Sequence, residues 1–303
     1  MPFLGLRLGN ETQLSVADIQ YLGALAEEHG YGEVWMTEGA GRDSLTQLSA
    51  IAAATSRIGL GTGILPMFSR TPLITAMSAA GLAAVSDGRF ILGLGVGNRS
   101  ATEDGHGVAY SQPMEHLSDL IHIVRGLLRG EEVSFQGKAI SVGRASLGDA
   151  APTGKVPIYI AALGPRMLEL AGAIADGVLL SWTAASYLEQ AIQLVRDGAS
   201  KAGRDPSEVE ISVYLRVVVT DDLEAGRATL QREIARYAGG GHYQSYFRNT
   251  GFDAEMAGAQ AARTIPTIWP QPRLSVRICS QNWAWSVRLR SAGHGSRNCA
   301  GLV

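Results

Sequence analysis

The sequence predicts an α/β chain that folds as a TIM (β/α)8 barrel, with an insertion after the fourth strand and an atypical, incomplete C-terminal end. Short apolar runs alternate with amphipathic helical stretches, which is typical of a parallel sheet wrapped by helices. Seven such strand–helix units fit before residue 240, and a barrel of this kind uses roughly 250 residues. No Pro/Gly/Ser-rich linker divides the 303 residues.

The predicted elements follow one another in regular order. The strands are short apolar runs, and they cover residues 3–8, 33–36, 58–64, 90–96, 156–161, 177–182 and 209–219. The helices carry apolar residues every three or four positions, and they cover residues 15–28, 44–56, 72–86, 113–128, 165–174, 186–202 and 224–237. Ser15 is a typical N-cap, Asp43 or Ser44 opens the second helix, and Gly30 ends the first. Pro72 and Pro165 suit a first helical turn.

The connection from residue 97 to 155 is long for a regular strand–helix alternation. It contains the helix at 113–128 and a predicted hairpin over 133–142, with Gly137 and Lys138 at the turn. Long connections of this kind usually carry function or cover a site.

The chain divides by composition into a barrel domain, residues 1–262, and an atypical tail, residues 263–303. From Met256 to the end there is no Asp, Glu or Lys, but six Arg, three Trp and both Cys occur. Neither an eighth strand nor an amphipathic eighth helix is visible there. One interpretation is a frameshift that replaced the native end; the other is an unusual but folded tail.

Charge and composition exclude several classes of binding partner. A net charge of −2 gives no general attraction to nucleic acid or to an anionic membrane. No apolar run approaches the ~20 residues of a membrane-spanning helix, and two cysteines make a disulfide framework improbable. We therefore expect a cytoplasmic protein that acts on a small molecule and holds no metal.

The end of the fifth strand predicts a phosphate site. The strand runs into Ala161, Ala162, Leu163 and Gly164, and Pro165 and Arg166 then open a helix. Small side chains let a ligand approach the backbone, and the unpaired amides of a first helical turn attract anions. The alternative is an ordinary strand–helix turn.

Glycines recur at the ends of strands three and four. The third strand ends in Gly59, Gly61 and Gly63, and the fourth contains G-x-G-x-G from Gly93, followed by Asn98. The spacing is wrong for the dinucleotide-binding fingerprint, and no helix opens directly after it. Glycine within strands often marks close backbone approach, so we expect a flat cofactor across the barrel mouth.

Polar residues that follow the same strands are candidates for proton transfer. Glu38 follows the second strand, and Glu103 and His106 follow the fourth. A carboxylate or imidazole at the mouth can serve as a general acid or base. The alternative for each is a loop hydrogen bond or a solvated charge.

These segments resemble the luciferase-like monooxygenase family, and within it the coenzyme F420-dependent oxidoreductases such as methylenetetrahydromethanopterin reductase. The resemblance covers about residues 3–250 and no single motif decides it. The matching stretches are VWMTE at 34–38, TSRIGLGTGI at 55–64, RTP at 70–72, DGRFILGLGVG at 87–97, GEEV at 130–133, IAALGP at 160–165 and ADGV at 175–178.

The resemblance implies a homodimeric barrel with a deazaflavin ring over the strand ends. It implies a non-proline cis peptide between Gly63 and Ile64, phosphate contacts at the 161–165 turn, and a ring contact from Glu38. Several relatives have a catalytic histidine at the next position, which here is Gly39. The residues thus assigned to the cofactor are Glu38, Gly63, Ile64, Gly95, Gly97, Asn98, Ala161, Ala162, Leu163, Gly164, Pro165 and Arg166.

The resemblance implies reversible hydride transfer between coenzyme F420 and a small organic substrate. One alternative is an FMN-dependent monooxygenase that uses reduced flavin and O2. Another is a non-catalytic relic that binds flavin or deazaflavin. An aldolase or isomerase barrel is disfavoured because such enzymes hold phosphate after strands seven and eight.

Overall fold

The computed structural model describes residues 4–9, 14–39, 41–238, 241–254, 256 and 257. The chain forms two compact units, Met1–Val217 and Val218–Val303, and each is described by itself. The predicted tail, residues 263–303, lies outside the described residues, as does the predicted domain boundary at 262. No helix in the described part of the chain is long and apolar enough to cross a membrane.

The first unit alternates strands and helices as predicted. Its strands are β1 Gly5–Leu8, β2 Glu33–Met36, β3 Gly59–Thr62, β4 Leu65–Pro66, β5 Phe90–Gly95, β6 Val133–Gln136, β7 Ser141–Ala145, β8 Ile158–Ala161, β9 Gly177–Ser181 and β10 Glu210–Tyr214. Its α-helices are α1 Val16–Glu28, α2 Ser44–Ala54, α3 Pro72–Val85, α4 Pro113–Leu128, α5 Pro165–Ile174 and α6 Ala185–Lys201.

The strands form one parallel sheet in the order β1-β2-β3-β5-β8-β9-β10, to which β4 adds beside β5. Strands β6 and β7 form the predicted antiparallel hairpin within the insertion. The architecture is a nearly closed parallel barrel of seven principal strands, so the predicted fold class is confirmed. Because all seven strands are parallel, their carboxyl ends lie at one face of the barrel.

Glycines make room for aromatic rings inside this barrel. A Cβ atom at Gly61 would overlap the Trp35 ring, and one at Gly177 would lie 2.5 Å from the Tyr159 ring. The two rings are 5.6 Å apart between centroids and are buried with Leu179. Large side chains on β2 and β8 thus fill the space that glycines on β3 and β9 leave, as close packing of a core requires.

The predicted helix starts are confirmed. Ser15 caps α1 in a reciprocal pair with Asp18, and Asp43 accepts a hydrogen bond from the Thr46 amide at the start of α2. Pro72 and Pro165 occupy first turns, as expected. These caps fix where each loop at the barrel mouth passes into its helix.

Most predicted strands are one or more residues shorter in the structure, and the third and the seventh differ most. The third ends at Thr62, and β4 begins at Leu65 after the Gly63–Ile64 peptide. The seventh was predicted to reach residue 219 but ends at Tyr214. The structure also contains a π-helix, Ala101–Gly105, that the sequence did not predict.

The second unit is helical in its described part. Helix α7 spans Leu223–Ala238, which confirms the predicted helix at 224–237, and α8 spans Gly241–Phe247. A π-helix, Arg248–Phe252, follows it. The ring centroids of Tyr237 and Tyr243 lie 5.1 Å apart, so aromatic contacts join the two α-helices.

Glu27 fastens the end of α1 to the start of β3. Its carboxylate accepts hydrogen bonds from the amides of Ser56, Arg57 and Ile58, at 2.6 to 3.2 Å. Burial alone would raise the pKa of Glu27, but these amides lower it from 4.5 to about 2. The folded state therefore binds its proton more weakly than the unfolded state. The resulting stabilisation is complete above pH 4.5 and is lost as the pH falls towards 2.

Glu27→Gln is therefore expected to lower the free energy of unfolding by about 2 kcal/mol at pH 7. Urea unfolding of the wild type and of Glu27→Gln at pH 7 and at steps down to pH 3 checks this. The difference between their free energies of unfolding should become smaller as the pH falls. Glu28→Gln is the control, because Glu28 is exposed and its loss should change stability by less than about 0.5 kcal/mol. A difference in unfolding free energy that does not depend on pH would contradict the role assigned to the Glu27 charge.

Candidate functional site

The carboxyl ends of β3, β5 and β8 converge around Ile64. The cis peptide predicted between Gly63 and Ile64 is present. A Cβ atom at Gly95 would lie 2.9 Å from Ile64 Cγ1 and 3.3 Å from the Ala161 methyl group. Four residues predicted to contact a cofactor thus lie together at the barrel mouth.

Tyr214, at the end of β10, reaches the same point. A Cβ atom at Gly63 would overlap the Tyr214 hydroxyl and would lie 3.6 Å from Trp35 Cβ. The hydroxyl oxygen is buried and has no hydrogen-bond partner in the described part of the chain. Burial raises the pKa of the Tyr214 phenol, so the group carries its proton at neutral pH. Tyr214 was not among the residues predicted from the sequence.

The turn after β8 has the form expected of an anion site. Gly164 is the N-cap of α5 and, as a glycine, has no side chain to accept a hydrogen bond from the first-turn amides. A Cβ atom at Gly164 would meet no described atom within 4 Å. Ala162 is buried and donates its amide to Leu179 O at 3.2 Å, whereas Arg166 is exposed. The helix start thus opens onto free space at Gly164, and Arg166 is the second residue of the helix.

The other predicted glycines have packing partners. A Cβ atom at Gly97 would lie 3.0 Å from Pro66 Cβ, and the residue has φ of 68°. A Cβ atom at Gly93 would overlap the carbonyl oxygen of Thr62, whose hydroxyl also bonds the Gly93 backbone at 2.8 and 2.9 Å. The close approach of neighbouring strand ends is therefore a sufficient reason for glycine at these positions, without a ligand.

Glu38 is engaged by a cation and a helix start. Arg70 donates to both carboxylate oxygens, and Ser44 Oγ donates to Oε2 at 2.8 Å. Arg70 also donates to Asp43, the cap of α2. Burial alone would lower the pKa of the Arg70 guanidinium, but the hydrogen bond and charge of Glu38 raise it. Glu38 thus connects the end of β2, the start of α2 and the segment before α3.

The loop after β5 carries the remaining polar candidates. Asn98 Oδ1 accepts the Ala101 amide at 3.2 Å and so opens the π-helix. Glu103 Oε1 lies 3.3 Å from Arg99 Nη1 and accepts the Tyr110 amide at 3.3 Å. His106 ends the π-helix and is exposed. These contacts of Asn98 and Glu103 are all made within their own loop, so they shape the loop itself.

A second group at the mouth was not predicted. Trp182 follows β9 with φ of 58° and is buried. The guanidinium of Arg216 lies 3.9 Å from the centre of the Trp182 ring and donates to Ser181 Oγ at 3.1 Å. A non-glycine residue with positive φ is uncommon and often lies at a functional site. The sequence signal was weak: a tryptophan as the last residue of a predicted strand.

Asp176, in the ADGV stretch at 175–178, anchors the amino ends of β8 and β9. It accepts the Ile158 amide at 2.9 Å and pairs with Lys155 at 2.7 Å and Arg125 at 3.0 Å. Burial alone would raise the pKa of Asp176, but the Lys155 hydrogen bond and the other partners lower it. Among the described residues, no group of three His, Cys, Asp or Glu side chains is arranged to hold a metal ion.

The chain is similar in sequence to proteins of known activity. The model of the luciferase-like monooxygenase family matches residues 3–267. The chain is 39% identical over 221 residues to a 5,10-methylenetetrahydromethanopterin reductase of Methanolobus tindarius, covering 73% of this chain and 67% of that protein. It is 34% identical over 227 residues to an F420-dependent glucose-6-phosphate dehydrogenase of Nakamurella multipartita, covering 70% and 66%. The chain thus spans about two thirds of the length of these relatives.

Solved structures have the same fold. The coenzyme F420-dependent tetrahydromethanopterin reductase of Methanopyrus kandleri superposes with a TM-score of 0.70 at 28% identity, covering 77% of this chain and 71% of that one. An F420-dependent secondary alcohol dehydrogenase superposes with a TM-score of 0.72 at 24% identity, covering 78% and 76%. The family model covers most of the sequence, and the fold agrees with it. The chain therefore belongs to the luciferase-like monooxygenase family.

Proposed function

We propose that this protein is a coenzyme F420-dependent oxidoreductase that transfers a hydride between the deazaflavin and a small organic substrate. The observation that carries the proposal is the similarity to relatives named for F420, at 34% identity over 70% of the chain. The M. kandleri structure, whose name also specifies F420, has the same fold. The substrate class stays open, because the relatives' names specify different substrates.

The residues at the mouth suit this cofactor. Gly63 and Ile64 would form the floor beneath the ring, with Gly95 and Ala161 beside them. The anionic arm would lie at the start of α5, where the open space at Gly164 and the first-turn amides favour phosphate. The bound cofactor supplies the hydride chemistry, and the protein supplies position and a proton.

Three residues remain candidates for proton transfer at the substrate. Glu103 and His106 lie on the exposed loop after β5, where a substrate can reach them. Glu38 is the third candidate, but both of its oxygens are bonded to Arg70. We therefore assign Glu38 to positioning the mouth and the proton to Glu103 or His106.

The alternative is an FMN-dependent monooxygenase, which the name of the matching family model favours. Fluorescence titrations with F420 and with FMN separate the two functions. The proposal predicts that F420 binds at least tenfold more tightly, and tighter binding of FMN would contradict it. A protein that binds F420 but turns over no substrate would be the non-catalytic relic.

Arg166→Ala tests the position of the phosphate arm. A charge-assisted contact with phosphate contributes about 1.5–3 kcal/mol, so the variant should bind F420 at least tenfold more weakly. Arg196→Ala is the matched control, because Arg196 is an exposed arginine on α6 and should bind as the wild type does. If Arg166→Ala and Arg196→Ala bind F420 with equal affinity, the phosphate arm of the cofactor does not lie at Arg166.

A homodimer is the proposed assembly. Helix α3 contains no charged residue, and Leu73, Ile74 and Met77 are 39–51% exposed on it. A second copy of this face is the proposed occupant, since an apolar surface without charge complements itself about a twofold axis. Sedimentation should show a dimer and Met77→Glu a folded monomer. A monomeric wild type would refute this assembly.

A further inference from the structure

The barrel interior becomes accessible to solvent at the level of Ser181. On β9, a Cβ atom at Gly177 would lie 2.5 Å from the Tyr159 ring inside the barrel, and Leu179 packs in the same interior cluster. Side chains alternate between the two faces of a strand, so Ser181, the last residue of β9, also faces the interior. Leu179 is 1% exposed, whereas Ser181 is partly exposed. The interior layer at the mouth that includes Ser181 is therefore open to a ligand.

Arg216 lies over this layer. Its Nη1 atom donates to Ser181 Oγ at 3.1 Å and to the Tyr214 carbonyl oxygen at 3.3 Å, and its guanidinium lies 3.9 Å from the centre of the Trp182 ring. Trp182 is buried, whereas Arg216 itself is partly exposed. An arginine held in this way loses little further conformational freedom when it binds an anion. The mouth thus contains an accessible cation that is already in position.

The charge of Arg216 acts at the floor of the proposed ring site. Burial raises the pKa of the Tyr214 phenol, and the charges of Arg7 and Arg216 oppose that rise. The Tyr214 hydroxyl in turn lies where a Cβ atom at Gly63 would be. Both guanidinium groups are therefore within electrostatic range of the Gly63–Ile64 peptide. A molecule held at Arg216 would lie beside a ring seated on that peptide.

We propose that Arg216 binds the carboxylate or phosphate group of an anionic organic substrate, and that Trp182 and Ser181 hold its guanidinium in place. This inference rests on the proposed function and specifies the substrate class. A guanidinium pairs through two parallel hydrogen bonds with either group. The start of α5, proposed for the phosphate arm of F420, follows β8, and β10 is two strands further along the sheet. Cofactor and substrate would therefore be held by separate cations at separate strand ends.

Arg216→Met tests this site, because methionine keeps an apolar contact with the Trp182 ring but removes the charge. With F420 bound, so that the start of α5 is occupied, inorganic phosphate and acetate are titrated separately by calorimetry. At least one of them should bind the wild type with a dissociation constant on the order of 1 mM, and Arg216→Met should bind it about tenfold more weakly or worse. The anion that binds distinguishes a phosphate ester from a carboxylate as the substrate.

Two further variants complete the experiment. Arg216→Lys keeps the charge but not the two parallel donors, so its affinity for the anion should be intermediate, and it provides the test if Arg216→Met does not fold. Arg196→Met is the control, because Arg196 is exposed on α6 and its loss should leave anion binding unchanged. All three variants should bind F420 as the wild type does.

The outcomes separate this inference from the proposed function. If the wild type does not bind F420, both are overturned. If the F420-loaded wild type binds neither anion, or if the Arg216 variants bind it as the wild type does, only the role of Arg216 is overturned. If Arg216→Met loses affinity for F420 as well, Arg216 contacts the cofactor and its assignment to the substrate is wrong.

Discussion

Gly172→Ala is expected to destabilise the protein by roughly 3 kcal/mol, near the upper end of what overpacking costs. A Cβ atom at Gly172 on α5 would overlap the carbonyl oxygen of Val195 on α6. In the reverse direction, a Cβ atom at Gly198 on α6 would overlap the carbonyl oxygen of Glu169 on α5. Both obstacles are backbone atoms, so no change of rotamer relieves the clash. The two helices touch at paired glycines.

The same substitution should also impair the site. Helix α5 begins at the Gly164–Pro165 turn, so a helix pushed away from α6 displaces the amides proposed to hold phosphate. Urea unfolding gives the stability, and an F420 titration of the folded fraction gives the affinity. Gly81→Ala is the control, because Gly81 lies in α3 and its Cβ would meet no described atom within 4 Å. It should be neutral or stabilising by up to about 1 kcal/mol. Equal stability of Gly172→Ala and wild type would refute the paired-glycine contact.

Local sequence patterns were sufficient to predict the helices and strands and part of the barrel mouth. Helix α4 was predicted to the residue, because Pro113 marks its start and its apolar period is clear. The cis peptide at Gly63 and Ile64 was expected from the family resemblance alone. Composition and periodicity contained no sign of it.

The parts that could not be predicted depend on pairs that are distant along the chain. The sequence showed glycines at Gly61 and Gly177, but not that the rings of Trp35 and Tyr159 fill the space beside them. Strand alternation puts Tyr214 on the inner face, yet nothing local indicates that its hydroxyl reaches Gly63. Side-chain volume is matched across the barrel, and a single sequence does not reveal which strands face each other at each level.

Glu38 illustrates the same limit for chemistry. Its position after β2 predicted a role at the mouth, and the residue does lie there. Its partner Arg70 occurs in the family-like RTP segment, but the sequence alone assigned Arg70 no function. Without the pair, a carboxylate at the mouth suggests an acid or base. With the pair, the carboxylate's hydrogen-bonding capacity is largely used, and a positioning role follows.

Arg70→Met is expected to cost about 3 kcal/mol of folding free energy, because it leaves the Glu38 carboxylate buried without its cation. Glu38 is 10% exposed and Arg70 16%, so solvent does little to compensate for the loss. Arg70→Lys should recover only part of the stability, since an ammonium group does not pair with both carboxylate oxygens of Glu38 and with Asp43 at once. Urea unfolding of the three proteins measures both effects.

The double variant Arg70→Met/Glu38→Gln distinguishes an unpaired charge from lost packing. If the buried charge causes the damage, removing it as well should restore about half of the lost stability, and the two substitutions will not be additive. If Arg70 acts mainly by filling space, the double variant will be no more stable than Arg70→Met. The Gly63 amide donates to Met36 O at 2.8 Å, two residues before Glu38, so F420 affinity should fall and recover with stability. If the stability effects of Arg70→Met and Glu38→Gln simply add, the two side chains are not coupled. Glu38 would then lose its assignment to positioning and would again be a candidate for proton transfer.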